Sequence, residues 1–167
     1  MTVARISPSS TELRAAAGDA VLITATGLRY SEEVAAFVRR LASVPLPTVA
    51  VVSGQCDASA LAVLASVSLG FVTDDVVVSV DAETVLATGL TSTLPAAVGS
   101  ALARGLLFAE TLDANGLRSC GLVRTGDPEA AAHRLATPDA AKLVRSLRVA
   151  ARSTPDQARL YDAELLA

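Results

Sequence analysis

The stretch Pro45 to Val72, PLPTVAVVSGQCDASALAVLASVSLGFV, limits the fold more than any other part of the chain. Thr48 to Ser53 is a short apolar run rich in β-branched residues, closed by Gly54 and the polar elbow Gln55-Cys56-Asp57, and it reads as a buried strand. Asp57 stands where an N-cap belongs, ahead of Ala58 to Val67, a run apolar on nearly every side. A helix of that kind must be interior. Its first amides, at Ala58, Ser59 and Ala60, are placed either for ordinary capping or for receiving negative charge.

The flanking segments extend this unit. Thr2 to Ile6 reads as a first strand and Thr11 to Ala17 as a short helical turn or loop. Ala20 to Ala25 reads as a second buried strand. Ser31-Glu32-Glu33 starts a helix whose apolar residues Val34, Phe37, Val38 and Leu41 follow the i, i+3, i+4, i+7 pattern, with Arg39 and Arg40 near its end. Strand, helix and strand make a β-α-β unit with parallel strands. Further strands are expected at Leu69 to Thr73 and Val76 to Val80, a loop over Asp81 to Gly89, and one helix from Leu94-Pro95 to about Phe108. Thr111-Leu112-Asp113 reads as another helix start, with an apolar segment at Leu117 to Val123. After Arg124 the chain turns Ala- and charge-rich, and Asp127-Pro128, Thr137-Pro138 and Thr154-Pro155 each mark a helix beginning with a cap and an N1 proline. The expected organisation is an α/β core over residues 1–124 and a helical region over residues 125–167.

At 167 residues, with 51% hydrophobic and 19% charged residues, the chain suits one well-cored domain. So little charge to cover the outside favours a homo-oligomer. A net charge of −3 and few aromatic residues argue against nucleic acid as a partner. Cys56 and Cys120 form no CxxC pair and His133 is the lone histidine, which argues against a zinc site and against a histidine-based triad. The N-terminal segment lacks a signal-peptide core and no apolar run is long enough to span a bilayer, so the expected location is cytoplasmic, with no membrane partner.

Read in register, the chain resembles the crotonase superfamily, the enoyl-CoA hydratase/isomerase family. The family's P-x-P-x-[VI]-A-x-[VI]-x-G strand is similar to Pro45 through Gly54, and its V-L-T-G-x-G-R-x-F-S segment to Leu22 through Ser31. G-G-T-Q-R-L-P-R-L-V-G resembles Gly89 through Gly99, and A-x-x-x-G-L-V resembles Leu117 through Val123 with the alanine lost. The resemblance covers most of the chain. It implies an α/β fold, a crotonase-like spiral of ββα repeats followed by a C-terminal helical region that trimerises, with a trimer or hexamer as the expected assembly.

It also implies a chemistry. Family members bind acyl thioesters and stabilise an enolate with two backbone N–H groups, with no cofactor beyond the CoA or acyl-carrier thioester that carries the substrate. The Ser59 amide matches one donor, in a helix start where the family's glycines are replaced by Ala58-Ser59-Ala60. The loop of the other donor is replaced by Glu32-Glu33-Val34-Ala35. The family's two catalytic glutamates align with Ala62 and Ala82, neither of which moves a proton. Asp81 and Glu83 flank the second position, and Glu33, Glu32 and Asp57 are further candidate acids. Arg29, Arg39 and Arg40 are the candidate phosphate-binding residues, and no metal is implied. Three readings stay open: a lyase or isomerase acting on an acyl thioester, a catalytically inactive subunit with a structural or partner-binding role, and a natural-product tailoring enzyme, a cyclase or dehydratase that reuses the pocket.

Overall fold

A computed structural model describes residues 1–166. The chain opens with β1 (Val3–Ile6), α1 (Ser10–Ala15), β2 (Ala20–Thr26), α2 (Glu32–Leu41) and β3 (Thr48–Ser53). Serine caps set both early helices: the Ser9 side chain accepts from the Glu12 amide and the Ser31 side chain from the Val34 amide. Val34, Phe37, Val38 and Leu41 are buried, as their helical spacing requires.

Next come β4 (Gln55–Asp57), α3 (Ser59–Ser66), β5 (Leu69–Val72) and β6 (Val77–Ser79). Every residue of α3 from Ser59 to Leu64 is buried, so the helix is interior. The elbow Gln55-Cys56-Asp57, expected as a turn, is instead a short strand, because pairing with β6 extends it.

α4 (Ala82–Ala87), α5 (Leu90–Val98), α6 (Ser100–Leu107), β7 (Thr111–Asp113) and α7 (Ala114–Ser119) complete the core. Three expectations need correcting here. Asp81 to Gly89 is not a loop: the Asp81 side chain accepts from the Thr84 amide and starts α4. The single helix expected from Leu94 to Phe108 is two, divided at Gly99, whose φ of 84° breaks a right-handed helix. Thr111–Asp113 is a strand, held by antiparallel pairing with β6, and only its last residue caps the helix that follows.

The strands form a four-stranded parallel sheet ordered β1-β2-β3-β5 and a three-stranded sheet ordered β4-β6-β7. Side chains alternate across the parallel sheet. Val21, Ile23, Ala50 and Val52 face the main core with α2 and α3, whereas Leu22, Val49 and Phe71 point the other way. That second face is covered by α8 (Pro128–Leu135) through Ala131 and Ala132, and the Arg5–Glu129 ion pair at 2.9 Å ties α8 to β1. α9 (Pro138–Ala150) and α10 (Pro155–Leu166) follow. The caps at Asp127 and Thr137 accept amide hydrogens as their sequence positions suggest. No residue of α9 is buried, and Leu143, Leu147 and Leu160 stand exposed on the C-terminal pair.

Candidate functional site

The ends of β2 and β3 build the site. Each strand leaves the sheet through a glycine with positive φ, Gly27 at 60° and Gly54 at 73°, and the Gly27 amide donates to the Ser53 carbonyl at 2.9 Å. The two tails then run on together, with the Asp57 amide donating to the Leu28 carbonyl at 3.0 Å. This brings Tyr30, from the first tail, against the start of α3.

Asp57 joins them. Its Oδ2 accepts from the Tyr30 amide at 2.6 Å and its Oδ1 from the Ser59 amide at 2.9 Å. Two backbone N–H groups from separate segments thus meet one carboxylate, each on its own oxygen. The anion is the protein's own side chain. Ser59 is fully buried, and its Oγ has no hydrogen-bond partner.

The remaining candidates spread outward. Ala62 is fully buried in the first turn of α3, and Ala82 is the exposed first residue of α4. Asp81 caps α4 through the Thr84 amide at 2.7 Å, and Glu83 is exposed in the same first turn. Glu83 is near enough for its charge to reach Tyr30. The Tyr30 phenol is held above its ordinary pKa first by its hydrogen bond to Glu32 and also by Glu83, while Arg39 acts in the opposite sense.

Glu33 points to α1. Its carboxylate accepts from the Ser10 amide at 2.8 Å, the Ser10 hydroxyl at 2.9 Å and the Ser9 hydroxyl at 3.3 Å, and the Ser10 amide is the main reason its pKa lies below the usual carboxylate value. Arg39 and Arg40 line a groove of about 390 Å³ with Arg14, Ser10 and Ser43, whereas Arg29 is exposed in the loop after β2. The structure therefore gathers Ser59, Asp57 and Tyr30 closely, brings Glu83 within electrostatic reach, and leaves Glu33 on a different contact. Cys56, next to Asp57, is buried, and burial pushes its thiol pKa up.

Sequence reasoning had no means of finding the Tyr30 amide. Twenty-seven residues separate it from Asp57, and no local spacing announces their contact. Among the described residues no cluster of His, Cys, Asp and Glu is arranged to hold a metal ion, and no helix is long and apolar enough to cross a membrane.

No protein-family profile matches the chain, and no curated protein matches it. Solved structures do. An enoyl-CoA hydratase/isomerase family protein from Silicibacter pomeroyi superposes with a TM-score of 0.73 at 18% identity, over 98% of this chain and 93% of that one. An enoyl-CoA hydratase/isomerase from Mycobacterium abscessus gives 0.73 at 19% identity, over 98% and 86% of the two chains. An enoyl-CoA hydratase from Streptomyces coelicolor A3(2) gives 0.73 at 17%, over 99% and 83%. Coverage this complete, reached with so few shared residues, places the chain in the crotonase fold, the fold of the enoyl-CoA hydratase/isomerase structures.

Proposed function

We propose that this chain is a crotonase-type protein of the enoyl-CoA hydratase/isomerase kind that has given up hydration chemistry and serves as a structural or partner-binding subunit. The occupied amide pair carries this reading. An enolate oxygen would need the Ser59 N–H, and that N–H already serves Asp57 at 2.9 Å. Alanines at positions 62 and 82 support it, because no carboxylate stands where the resemblance expects the two that hold and activate water. Exposed Leu143, Leu147 and Leu160 on the C-terminal helices support self-association as a homotrimer or hexamer.

One observation favours a second reading. Asp57 is a carboxylate in direct contact with the amide that would bind the oxyanion, and Glu83 acts on the neighbouring Tyr30. Were Asp57 to turn away, the amides would open and an acid would stand beside them. The chain would then be a lyase or isomerase acting on a CoA or acyl-carrier thioester, with Asp57, or Asp81 and Glu83, in place of the usual glutamates, and Arg29, Arg39 and Arg40 toward the carrier's phosphates.

Kinetics with a panel of enoyl- and 3-hydroxyacyl thioesters, on CoA and on acyl carrier protein, separates the two. The first reading expects no conversion above the uncatalysed rate. Conversion of any thioester that is lost in D57N overturns it in favour of the second; conversion lost instead in E83A or D81A assigns the chemistry to those acids.

A further inference from the structure

α6 carries an apolar face that nothing in the described chain covers. The helix buries Ala103 and Leu106, and its C-cap Phe108 continues the same turn, the Phe108 amide donating to the Arg104 carbonyl at 3.1 Å. Phe108 is 87% exposed and Leu102 50%, and Ala101, Arg104 and Gly105 are exposed with them. Ala101, Gly105 and Phe108 follow the i, i+4, i+7 spacing, and Leu102 stands beside Gly105 at i+3, so these four make one outward face. Gly105 has no positive φ, and no atom of the chain lies within 4 Å of the point where a side chain would begin. Neither backbone nor space within the chain calls for glycine there, although it costs a helix about 1 kcal/mol against alanine. A close approach from outside does call for one.

We infer that this face pairs with the same face of a second copy, the two α6 helices antiparallel and crossing at Gly105. A two-fold axis there brings residues three before and three after Gly105 to one level. The Phe108 ring of one copy then reaches the level of Leu102 in the other and lies over Ala101, against Arg104. The seat suits a ring. Alanine and glycine leave a notch, and Arg104, which makes no ion pair among the described residues, borders it with a guanidinium for a cation–π contact. Antiparallel alignment also sets the positive end of each helix against the negative end of the other. Each copy supplies both the projecting ring and the notch that a ring fills, as a two-fold contact requires.

Size sets the strength of the contact. Eight residues of helix span about 12 Å, well short of the surface of about 800 Å² per partner that stable complexes bury. The pair is therefore weak and concentration-dependent. It is separate from Leu143, Leu147 and Leu160 and does not depend on the function proposed above. A two-fold contact cannot close a ring of three, so it joins single chains, or finished rings, in twos.

Sedimentation velocity of the full chain over a rising concentration series tests the pairing, and the mass is expected to double along it. F108E, at an exposed position, should keep the fold by circular dichroism and raise the dissociation constant at least about tenfold. A101K should do the same. The double variant A101K/F108E sets opposite charges across the axis and should pair again at low salt, losing the pairing at about 1 M salt. A mass that does not rise with concentration, pairing unchanged in F108E, or an A101K/F108E chain that stays dissociated at low salt each overturns the proposal.

Discussion

Asp57 and Ser59 are joined by a short-range bond, 2.9 Å from the Ser59 amide to Oδ1, while the other oxygen of the same carboxylate reaches back to Tyr30. The N-cap position of α3 falls on Ala58, not on Asp57 as expected, and since alanine has no acceptor the carboxylate one residue earlier takes that task. It also clamps the loop after β2 to the start of α3. D57A should therefore lose more than a simple cap, about 2–4 kcal/mol in urea unfolding, since two amides lose their acceptor at once. D57N keeps one acceptor oxygen and should fall between D57A and the unmodified chain. Equal stability of all three would mean that the clamp contributes nothing.

The Ser59 side chain makes the opposite prediction. Its Oγ is buried with no partner, so the hydroxyl carries a desolvation cost without return. S59A retains the backbone amide that Asp57 uses. It should be neutral or stabilising by about 1 kcal/mol, read from the urea midpoint. A clear loss of stability would show that the hydroxyl has a partner in solution.

Ala62 stands where the resemblance expects a glutamate, and restoring one there is a direct test. The position is fully buried, with buried Leu61 and Val63 beside it in α3 and buried Ala58 one turn earlier. A carboxylate there has no water and no paired cation. A62E should destabilise by more than about 3 kcal/mol and leave thioester hydration undetectable. A stable A62E variant that hydrates an enoyl thioester would reveal a cleft with room for both acid and substrate.

Acid should loosen α1 before the core. Glu33 is held below the ordinary carboxylate pKa chiefly by the Ser10 amide, and Glu12 chiefly by the Ser7 amide. A carboxylate with a depressed folded-state pKa stabilises above its unfolded value, about 4.3 for glutamate, and that contribution disappears as pH falls through the folded-state value. Amide exchange at Ser7 and Ser10 should accelerate, relative to core amides, as pH drops below about 4. In an E12Q/E33Q double variant that extra acceleration should vanish.

What could be read from the chain beforehand follows the range of the forces involved. The bounds of β3 coincide with the expected Thr48 to Ser53, because β-branched residues and a closing glycine act locally. Helix starts at Ser31, Asp127 and Thr137 were legible for the same reason: a cap reaches only two or three residues ahead. β4 and β7 were not, since strands of three residues exist only through partners some 20 to 35 residues away in sequence. α4, six residues long, is too short to display a helical period. The site divides in the same way. Position ahead of α3 pointed to Asp57 and to the amides of Ala58, Ser59 and Ala60, and only the resemblance singled out Ser59; the bond to Tyr30 depends on how two strand tails leave the sheet.

The covering of the parallel sheet by α8 carries a consequence for synthesis. Leu22, Val49 and Phe71 are in place early, yet Ala131 and Ala132, which shield them, lie about 60 residues beyond Phe71. At ordinary elongation rates that interval lasts on the order of 3–12 s, during which one face of the sheet has emerged and its cover has not. The nascent chain therefore passes through a stage with an uncovered apolar sheet, and the Arg5–Glu129 pair, which links residues 124 positions apart, can close only at its end.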